Sequence, residues 1–426
     1  MGGIPDIGIQ NLENGEYASQ FHQKLVDSFP GKETLSTWNR EFNRLYSFTG
    51  FSGEDEVQML VPIVNDGPDH GAHVTDLEST TTPTENIPES EAEAESTVAS
   101  SEETEEITEI LEIESTQPQE EPEAEALGQI LLMGDRAMEL PVADYNAIAK
   151  YSASVSAIAQ ALEGVNVYNI IVPNSAGIYA PSAYQQGDDS QKAMIDFAYS
   201  SIPDSVNKVD AYSVLQEHKE EEIYFRTDHH WTHLGSYYAY TAFCEEAGLT
   251  AQPVTAYESG TYETFLGTMY SFLSGYSQRS ILRDNPDSLT YYIPDRETTV
   301  RYYESGNLSY GGKIDLIYSL SADYSNKYIC FLGGDHPVTV IETDHPEERV
   351  CLLIKESYGN AFSTWLTEHY SKIICIDPRE FNRNEKPSLD LVKFAEGLNI
   401  DDCIILNYPL MINSSAYSAW LGRLVE

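Results

Sequence analysis

Short runs of apolar residues recur along the second half of the sequence, and several are followed by segments with helical periodicity. The runs are too short for buried helices and are rich in Val, Ile, Leu and Cys, which favours strands buried on both faces. Continuous apolar strands that alternate with helices indicate a parallel sheet covered by helices, the three-layer α/β/α class. Strands are predicted at residues 165–172, 328–332, 350–354, 372–376 and 403–406, and helices at residues 145–162, 191–199 and 234–247.

The regions outside this pattern differ from it in composition. Residues 1–64 carry two amphipathic helical patterns and a short strand, and we assign them to the main domain. Residues 65–126 contain 20 acidic residues and no Lys or Arg. Such a segment cannot bury enough apolar surface to offset its chain entropy, so we predict a disordered, solvated insertion, with calcium capture or a cell-wall spacer as functional alternatives. The main α/β domain resumes at residues 127–426, with a lobe of strands and loops at about 259–326.

Net charge, apolar runs and cysteine content limit the partners and the cellular location that the sequence allows. A formal charge of −45 argues against nucleic-acid binding, which needs clustered Lys and Arg to neutralise phosphates. The sequence has no apolar stretch of 18 residues, so no transmembrane segment is predicted. The first ten residues do not resemble a secretory signal, so we expect either that the protein is cytoplasmic or that a signal segment has been removed. The five cysteines have no paired spacing, which is typical of buried free thiols.

A serine follows the apolar run at residues 350–354. The sequence there reads KESYGNAFSTWL, where Gly359 or Asn360 can make a tight turn and Ala361 begins a helical pattern. In parallel sheets chemistry gathers at the carboxyl ends of the strands. A hydroxyl at this corner also lies near the positive end of a helix dipole, which stabilises an oxyanion. Ser357 is therefore the candidate nucleophile.

The stretch RTDHHWTHLGSYYAY, residues 226–240, supplies the base that such a serine needs. In an extended segment, residues two apart point to the same side, so Asp228 and His230 can share a face while His229 points away. We assign His230 as the general base and Asp228 as the carboxylate that fixes its tautomer. Thr232 is a suitable helix N-cap, and Trp231 is expected to pack against the core.

Several other residues are secondary candidates at this site. Backbone amides of Ser357, of Gly333 or Gly334 in LGGDHP, and of Asn360 are candidates for an oxyanion hole. His229, Arg226 and Tyr358 flank the assigned residues and complete the candidate set.

Two alternatives compete with the serine chemistry. His229 and His233 are four residues apart, and with Asp228 or His230 they offer a possible zinc site. If Thr232 caps the helix, however, His229 lies outside it and the helical spacing fails, so no metal and no cofactor are predicted. The second alternative is a structural role for the histidines, in which they cap a helix and bond a neighbouring loop.

The same residues carry a family resemblance. RTDHHWTHLGSYYAY resembles the signature of the DHHW protein family, and QFHQKLVDSFPGKE, FLGGDHP and KESYGNAFSTWLTEHY also have counterparts there. The resemblance covers nearly the whole chain except the acidic tract. This family is similar to the SGNH-hydrolase-like alginate O-acetylation proteins, in which a D-x-H-W motif precedes a serine.

The resemblance implies an SGNH-hydrolase-like catalytic domain with Asp228, His230 and Ser357 as the triad. In ordinary SGNH hydrolases the serine precedes the Asp and His, so the oxyanion residues cannot be mapped by chain position. It also implies a carbohydrate O-acetylesterase or O-acetyltransferase that acts on a cell-surface or extracellular polysaccharide, with a carbohydrate polymer and an acyl donor as partners. The implied location is outside the cytoplasmic membrane, with the signal or anchor absent from this sequence. The alternative is a non-catalytic carbohydrate-binding or cell-surface scaffold protein.

Overall fold

The computed structural model describes residues 124–383 and 386–426. The predicted helices of residues 1–64 and the acidic tract up to residue 123 lie outside these residues. The strands are β1 Ala124–Leu127, β2 Ile130–Met133, β3 Arg136–Glu139, β4 Asn166–Ile171, β5 Val206–Val209, β6 Glu258–Phe265, β7 Asp287–Ile293, β8 Thr298–Tyr303, β9 Gly311–Ile314, β10 Val338–Thr343, β11 Val350–Lys355, β12 Lys372–Ile376 and β13 Asp402–Asn407. The helices are α1 Tyr145–Ala161, α2 Ser175–Tyr179, α3 Gln191–Ser201, α4 Ala211–Glu217, α5 His233–Ala247, α6 Thr268–Phe272, α7 Arg279–Asp284, α8 Tyr358–Trp365, α9 Leu391–Ala395, α10 Pro409–Ile412 and α11 Ser415–Gly422.

A central sheet of eight strands organises the described part of the chain, in the order β5-β4-β13-β11-β12-β10-β8-β9. The strands from β5 to β12 in this order are parallel. β10, β8 and β9 continue the sheet in antiparallel pairing. The predicted α/β class with a large buried sheet is confirmed, and four of the predicted strands are β4, β11, β12 and β13.

Helices cover both faces of this sheet. Tyr168 and Asn169 are neighbours on β4, so their side chains point to opposite faces. Asn169 bonds to the Tyr151 hydroxyl on α1 at 2.7 Å, whereas the Tyr168 ring contacts Phe243 on α5 with centroids 5.1 Å apart. α1 and α5 therefore lie on opposite sides of the sheet. The predicted helices match α1, α3 and α5 to within two residues at each end.

The predicted strand at residues 328–332 is wrong. The chain forms a 3₁₀ turn at Lys327–Cys330, and only Phe331 makes an isolated bridge, to Ile317. Leu332 and the next two residues then have positive φ angles of 58°, 72° and 100°, which end any extended run. These apolar residues are buried without joining a sheet, so burial and not strand pairing explains their pattern.

Two predicted boundaries also change. In the predicted lobe at about 259–326, β6 and β7 pair as a separate hairpin, but β8 and β9 belong to the edge of the central sheet. At the end of the acidic tract, Ala124–Leu127 already forms β1, which pairs with β2. Backbone pairing brings these residues into the fold although Glu125 and Ala126 stay exposed.

The interior agrees with the predicted cysteine chemistry. Cys244, Cys330, Cys351, Cys375 and Cys403 are all buried and free. Among the described residues, no helix combines the length and apolar character that a membrane span requires.

Candidate active site

Ser357 lies where β11 gives way to α8, at the carboxyl edge of the sheet. α8 begins at Tyr358, earlier than the predicted start at Ala361, so the turn after the strand is tighter than expected. Gly359 permits this turn, because a Cβ at that position would lie 2.4 Å from the Cβ of Lys355. The serine side chain is left partly exposed at the N-terminus of the helix.

Three predicted side chains form a continuous line of hydrogen bonds. Nε2 of His230 lies 2.8 Å from Oγ of Ser357, and its Nδ1 lies 2.6 Å from Oδ1 of Asp228. Asp228 and His230 are 2% and 6% exposed. Burial alone would raise the pKa of Asp228, but the adjacent His230 and its hydrogen bond hold that pKa well below its usual range. The carboxylate is therefore ionised and can orient the imidazole.

The segment that carries this motif is a bent loop and not the predicted extended segment. An isolated bridge joins Tyr224 to Trp231, and the residues between them follow successive bends. The predicted packing of Trp231 is confirmed: it is fully buried, and its Nε1 donates to the Tyr358 carbonyl at 3.1 Å. The predicted N-cap is also confirmed, because the Thr232 hydroxyl accepts from the amide of Gly235 at 3.1 Å. The motif is thus held between α5 and α8.

His230 lies between two rings. The Tyr328 ring stacks on it at 3.7 Å with an interplanar angle of 7°, and the His229 ring contacts it at 3.7 Å and 38°. The prediction that His229 points away from His230 is therefore wrong, because the loop bends between them. Tyr328 was missed by sequence reasoning, since it lies in the turn that the apolar pattern had assigned to a strand.

Asp228 has a second set of donors from α6. Its Oδ2 accepts from the backbone amide of Thr268 at 2.8 Å and from the Thr268 hydroxyl at 3.1 Å. The carboxylate is thus bonded on both oxygens, which holds its position and favours its charged form. No local sequence signal points to Thr268, which lies 40 residues further along the chain.

The candidate oxyanion donors differ in whether their backbone amides already have hydrogen-bond partners. The Gly334 amide donates to the Phe331 carbonyl at 3.2 Å, and the Asn360 amide donates to the Ser357 carbonyl at 3.1 Å, so neither is free. Gly333 lies against the Tyr318 ring, where an added Cβ would be 2.9 Å from a ring carbon. The backbone amide of Ser357 has no hydrogen-bond partner among the described residues. The Gly333 amide has no partner among these residues either, so the amides of Ser357 and Gly333 are the predicted oxyanion donors that remain available.

Glu356 is a buried carboxyl group directly beside the serine. Its Oε2 accepts from the Tyr358 amide at 3.0 Å and lies 3.3 Å from Oγ of Ser357. Its Oε1 is buried without a partner among the described residues. Burial raises the pKa of Glu356 to about 8, although the positive charge of Arg379 opposes this. The group is therefore mainly a neutral acid at pH 7.

A cluster of buried and partly buried charged side chains supports the turn from the other side. Arg379 bonds Asp377 and Asp335 through Nη2, each at 2.6 Å. Lys355 lies 3.3 Å from Asp335, and the side-chain amide of Asn360 donates to the same carboxylate at 2.9 Å. Two cations and two carboxylates balance one another here. None of the four charged residues Asp335, Lys355, Asp377 and Arg379 was among the candidates predicted from the sequence.

Arg226 and Tyr358, both secondary candidates, have supporting contacts. The Arg226 guanidinium forms ion pairs with Asp135 at 2.8 Å and with Asp287 at 3.2 Å, and it is not part of the hydrogen-bonded line. Tyr358 is fully buried, and its hydroxyl donates to the carbonyl of His229. These contacts hold the motif loop, the segment between Tyr224 and Trp231 that carries Asp228 and His230, against neighbouring segments.

The zinc site considered from the sequence requires His233, but the structure places this residue in the core with other partners. His233 is fully buried, where its Nδ1 accepts from the Tyr292 amide at 3.0 Å and its Nε2 contacts the Thr364 hydroxyl at 2.9 Å. Burial lowers the pKa of His233 well below its usual value, so it is a neutral core residue. The pair at spacing four is therefore lost. Asp228, His229 and His230 do offer ligand atoms within 4.8 Å of one another, but the Nδ1 atoms of both histidines already have hydrogen-bond partners.

The fold and the site together define an α/β protein with a Ser-His-Asp arrangement at the carboxyl edge of a mainly parallel sheet. The family model described as DHHW protein matches residues 1–376, and the chain belongs to the DHHW protein family.

Two solved structures share this fold, and a third is a weaker match. A DHHW family protein from Eubacterium siraeum is 27% identical, with 70% of this chain and 97% of that chain covered and a TM-score of 0.61. PatB1 from Bacillus cereus is 18% identical, with 67% and 97% covered and a TM-score of 0.54. The O-acetyltransferase domain of AlgJ from Pseudomonas putida is 14% identical, with 68% and 92% covered and a TM-score of 0.38. A comparison with curated proteins found no match.

Proposed function

We propose that this protein is a serine-dependent O-acetylesterase or O-acetyltransferase that acts on a carbohydrate polymer outside the cytoplasmic membrane. The observation that carries the proposal is the hydrogen-bonded line from Asp228 through His230 to the partly exposed hydroxyl of Ser357. A hydroxyl alone is a poor nucleophile at neutral pH, and a base oriented by a buried carboxylate is what activates it.

In the proposed reaction, Oγ of Ser357 attacks the carbonyl carbon of an acyl ester while its proton passes to Nε2 of His230. Asp228 holds the Nδ1 proton and stabilises the imidazolium that forms. The negative charge on the carbonyl oxygen develops beside the N-terminus of α8, where the free amide of Ser357 can donate to it. His230 then gives its proton to the leaving alcohol, which leaves an acyl ester on Ser357.

The second half of the reaction reverses these steps with a different hydroxyl group. Water or a sugar hydroxyl gives its proton to His230 and attacks the acyl group, and Ser357 recovers its own proton. Esterase and transferase activity differ only in which hydroxyl is used. The carbohydrate substrate and the extracytoplasmic location rest on the family's similarity to the alginate O-acetylation proteins.

The test is hydrolysis of 4-nitrophenyl acetate by the wild type and by Ser357→Ala. We expect a loss of at least ~10³-fold in kcat/KM, because removal of the nucleophile disables the whole triad. Ser371→Ala is the matched control, because Ser371 is also partly buried but precedes β12 at the opposite edge of the sheet. A phenylsulfonyl fluoride should attach to Ser357, as read by peptide mass spectrometry.

Two results would contradict the proposal. One is a wild type without activity above background and without sulfonyl modification, and the other is full activity in Ser357→Ala. Polysaccharide binding that persists in an inactive wild type would favour a non-catalytic carbohydrate-binding protein.

A further inference from the structure

The contacts of the His229 ring determine which of its two nitrogens carries the proton. Its Nδ1 lies 2.5 Å from the Thr268 hydroxyl oxygen, which lies 3.1 Å from Oδ2 of Asp228. The ionised carboxylate can only accept, and two oxygens 3.1 Å apart with no proton between them would repel, so the single hydroxyl proton of Thr268 goes to Asp228. The same oxygen therefore accepts a proton from His229. His229 is neutral, with its proton on Nδ1 and a lone pair on Nε2.

This lone pair is available beside the general base. Nε2 lies on the edge of the ring opposite Thr268, and none of the described residues donates to it. The His229 side chain is 16% exposed, and its ring contacts that of His230 with centroids 3.7 Å apart. Burial and the neighbouring His230 lower the pKa of His229 to about 3. At neutral pH, Nε2 thus accepts a hydrogen bond but does not take a proton.

Two more polar groups lack hydrogen-bond partners among the described residues, one beside His229 and one close enough to Asp228 to interact with its charge. The Tyr408 ring lies 6.2 Å from that of His229, and its hydroxyl has no hydrogen-bond partner among the described residues. Glu139 ends β3, and its Oε2 is buried without a partner among these residues. Burial and the charge of Asp228 raise the pKa of Glu139 to about 8, so this side chain is mainly a neutral acid at pH 7. An unpaired buried oxygen such as Oε2 of Glu139 is costly unless a ligand or water bonds to it.

We propose that His229 determines acceptor specificity: its Nε2 accepts a hydrogen bond from a second hydroxyl of the sugar whose first hydroxyl takes the acyl group. This inference rests on the proposed acyl-transfer function. The attacking hydroxyl has only one proton, which passes to His230 as the new ester bond forms and the bond to Ser357 breaks. His229 must therefore bond to a neighbouring hydroxyl of the same acceptor. The ligand class is a polyol with adjacent hydroxyl groups, for which the Tyr408 hydroxyl offers a further hydrogen bond.

The experiment measures acyl transfer from 4-nitrophenyl acetate to trans-1,2-cyclohexanediol and to cyclohexanol, which differ by one hydroxyl. The ratio of the two acetylated products does not depend on how fast Ser357 is acylated. We expect the wild type to favour the diol, and His229→Asn to reduce this ratio roughly 3- to 10-fold, the value of one hydrogen bond. Asn can still donate to Thr268 but has no atom at the Nε2 position. His229→Gln places an amide oxygen near that position and should restore part of the preference.

The controls separate this inference from the proposed function. His218→Asn replaces a partly exposed histidine that stacks on Tyr238, and it should leave the product ratio unchanged. A wild type that is never acylated on Ser357 would refute the proposed function. A wild type that is acylated but shows no diol preference, or a preference that survives in His229→Asn, would refute the role of His229 alone. Nitrogen-15 NMR should find His229 neutral with its proton on Nδ1 from pH 5 to 8, and a proton on Nε2 would overturn the argument.

Discussion

Gly267 approaches the carboxylate of Asp228 more closely than any residue with a side chain could. An ideal Cβ built on Gly267 would lie 2.2 Å from Oδ2 and 2.3 Å from Cβ of Asp228. The Gly267 amide also donates to the Thr227 hydroxyl at 3.1 Å, so the backbone is held against the motif loop. The orientation of Asp228 therefore depends on the absence of a side chain on the next segment.

Gly267→Ala should displace Asp228 and lower esterase activity while the protein still folds. The added methyl group cannot fit, and the loop or the carboxylate must move by about an ångström, a shift that can cost on the order of 10²-fold in rate. Activity and thermal unfolding are measured together. Gly275→Ala is the control, because Gly275 has φ 90° but open space around its Cβ. That variant should lose about 1 kcal/mol of stability and keep its activity. Full activity in Gly267→Ala would contradict the assigned role of Asp228.

Features that depend on neighbouring residues could be predicted from the sequence. The apolar runs gave β4, β11, β12 and β13, and the position of Ser357 after β11 followed from one of them. The features that were missed depend on which distant segments meet. Gly267 and Thr268, at the start of α6, contact Asp228 in the loop between α4 and α5. Arg379 reaches the turn after β11 because β12, which precedes Arg379, lies beside that strand. Neither arrangement leaves a periodic or compositional signal in the chain.

Asp228→Asn should keep the fold and lose most of the activity. An amide in place of the carboxylate no longer requires the proton of His230 to be on Nδ1, so the base can take the wrong tautomer. We expect a decrease of roughly 10³- to 10⁴-fold in kcat for 4-nitrophenyl acetate at pH 7. The KM should change much less, because the carboxylate bonds to His230 and Thr268 and not to the substrate. A decrease below 10-fold would argue that Asp228 does not orient the base.

Chelators should leave the esterase activity unchanged. Both nitrogens of His230 have partners in the line from Asp228 to Ser357, and Nδ1 of His229 is bonded to Thr268. A metal ion held jointly by Asp228, His229 and His230 would have to break a bond of His230. The measurement is activity after dialysis against EDTA, with and without added Zn²⁺. A loss that Zn²⁺ restores would favour a metal site at Asp228, His229 and His230 over the triad.

Glu356→Gln should make stability less dependent on pH. Burial raises the pKa of Glu356 from 4.5 to about 8, so between these values the folded state binds more protons than the unfolded state. Stability contributed by this neutral acid is complete below pH 4.5 and is lost as the pH rises through about 8. A Gln side chain keeps an oxygen for the Tyr358 amide and cannot ionise. The free energy of unfolding in urea at pH 5.5, 7 and 8.5 should therefore fall less steeply in the variant. Glu163→Gln, at an exposed position, should retain the wild-type slope. Equal slopes in all three proteins would show that Glu356 is ionised in the folded state, with its charge balanced by Arg379.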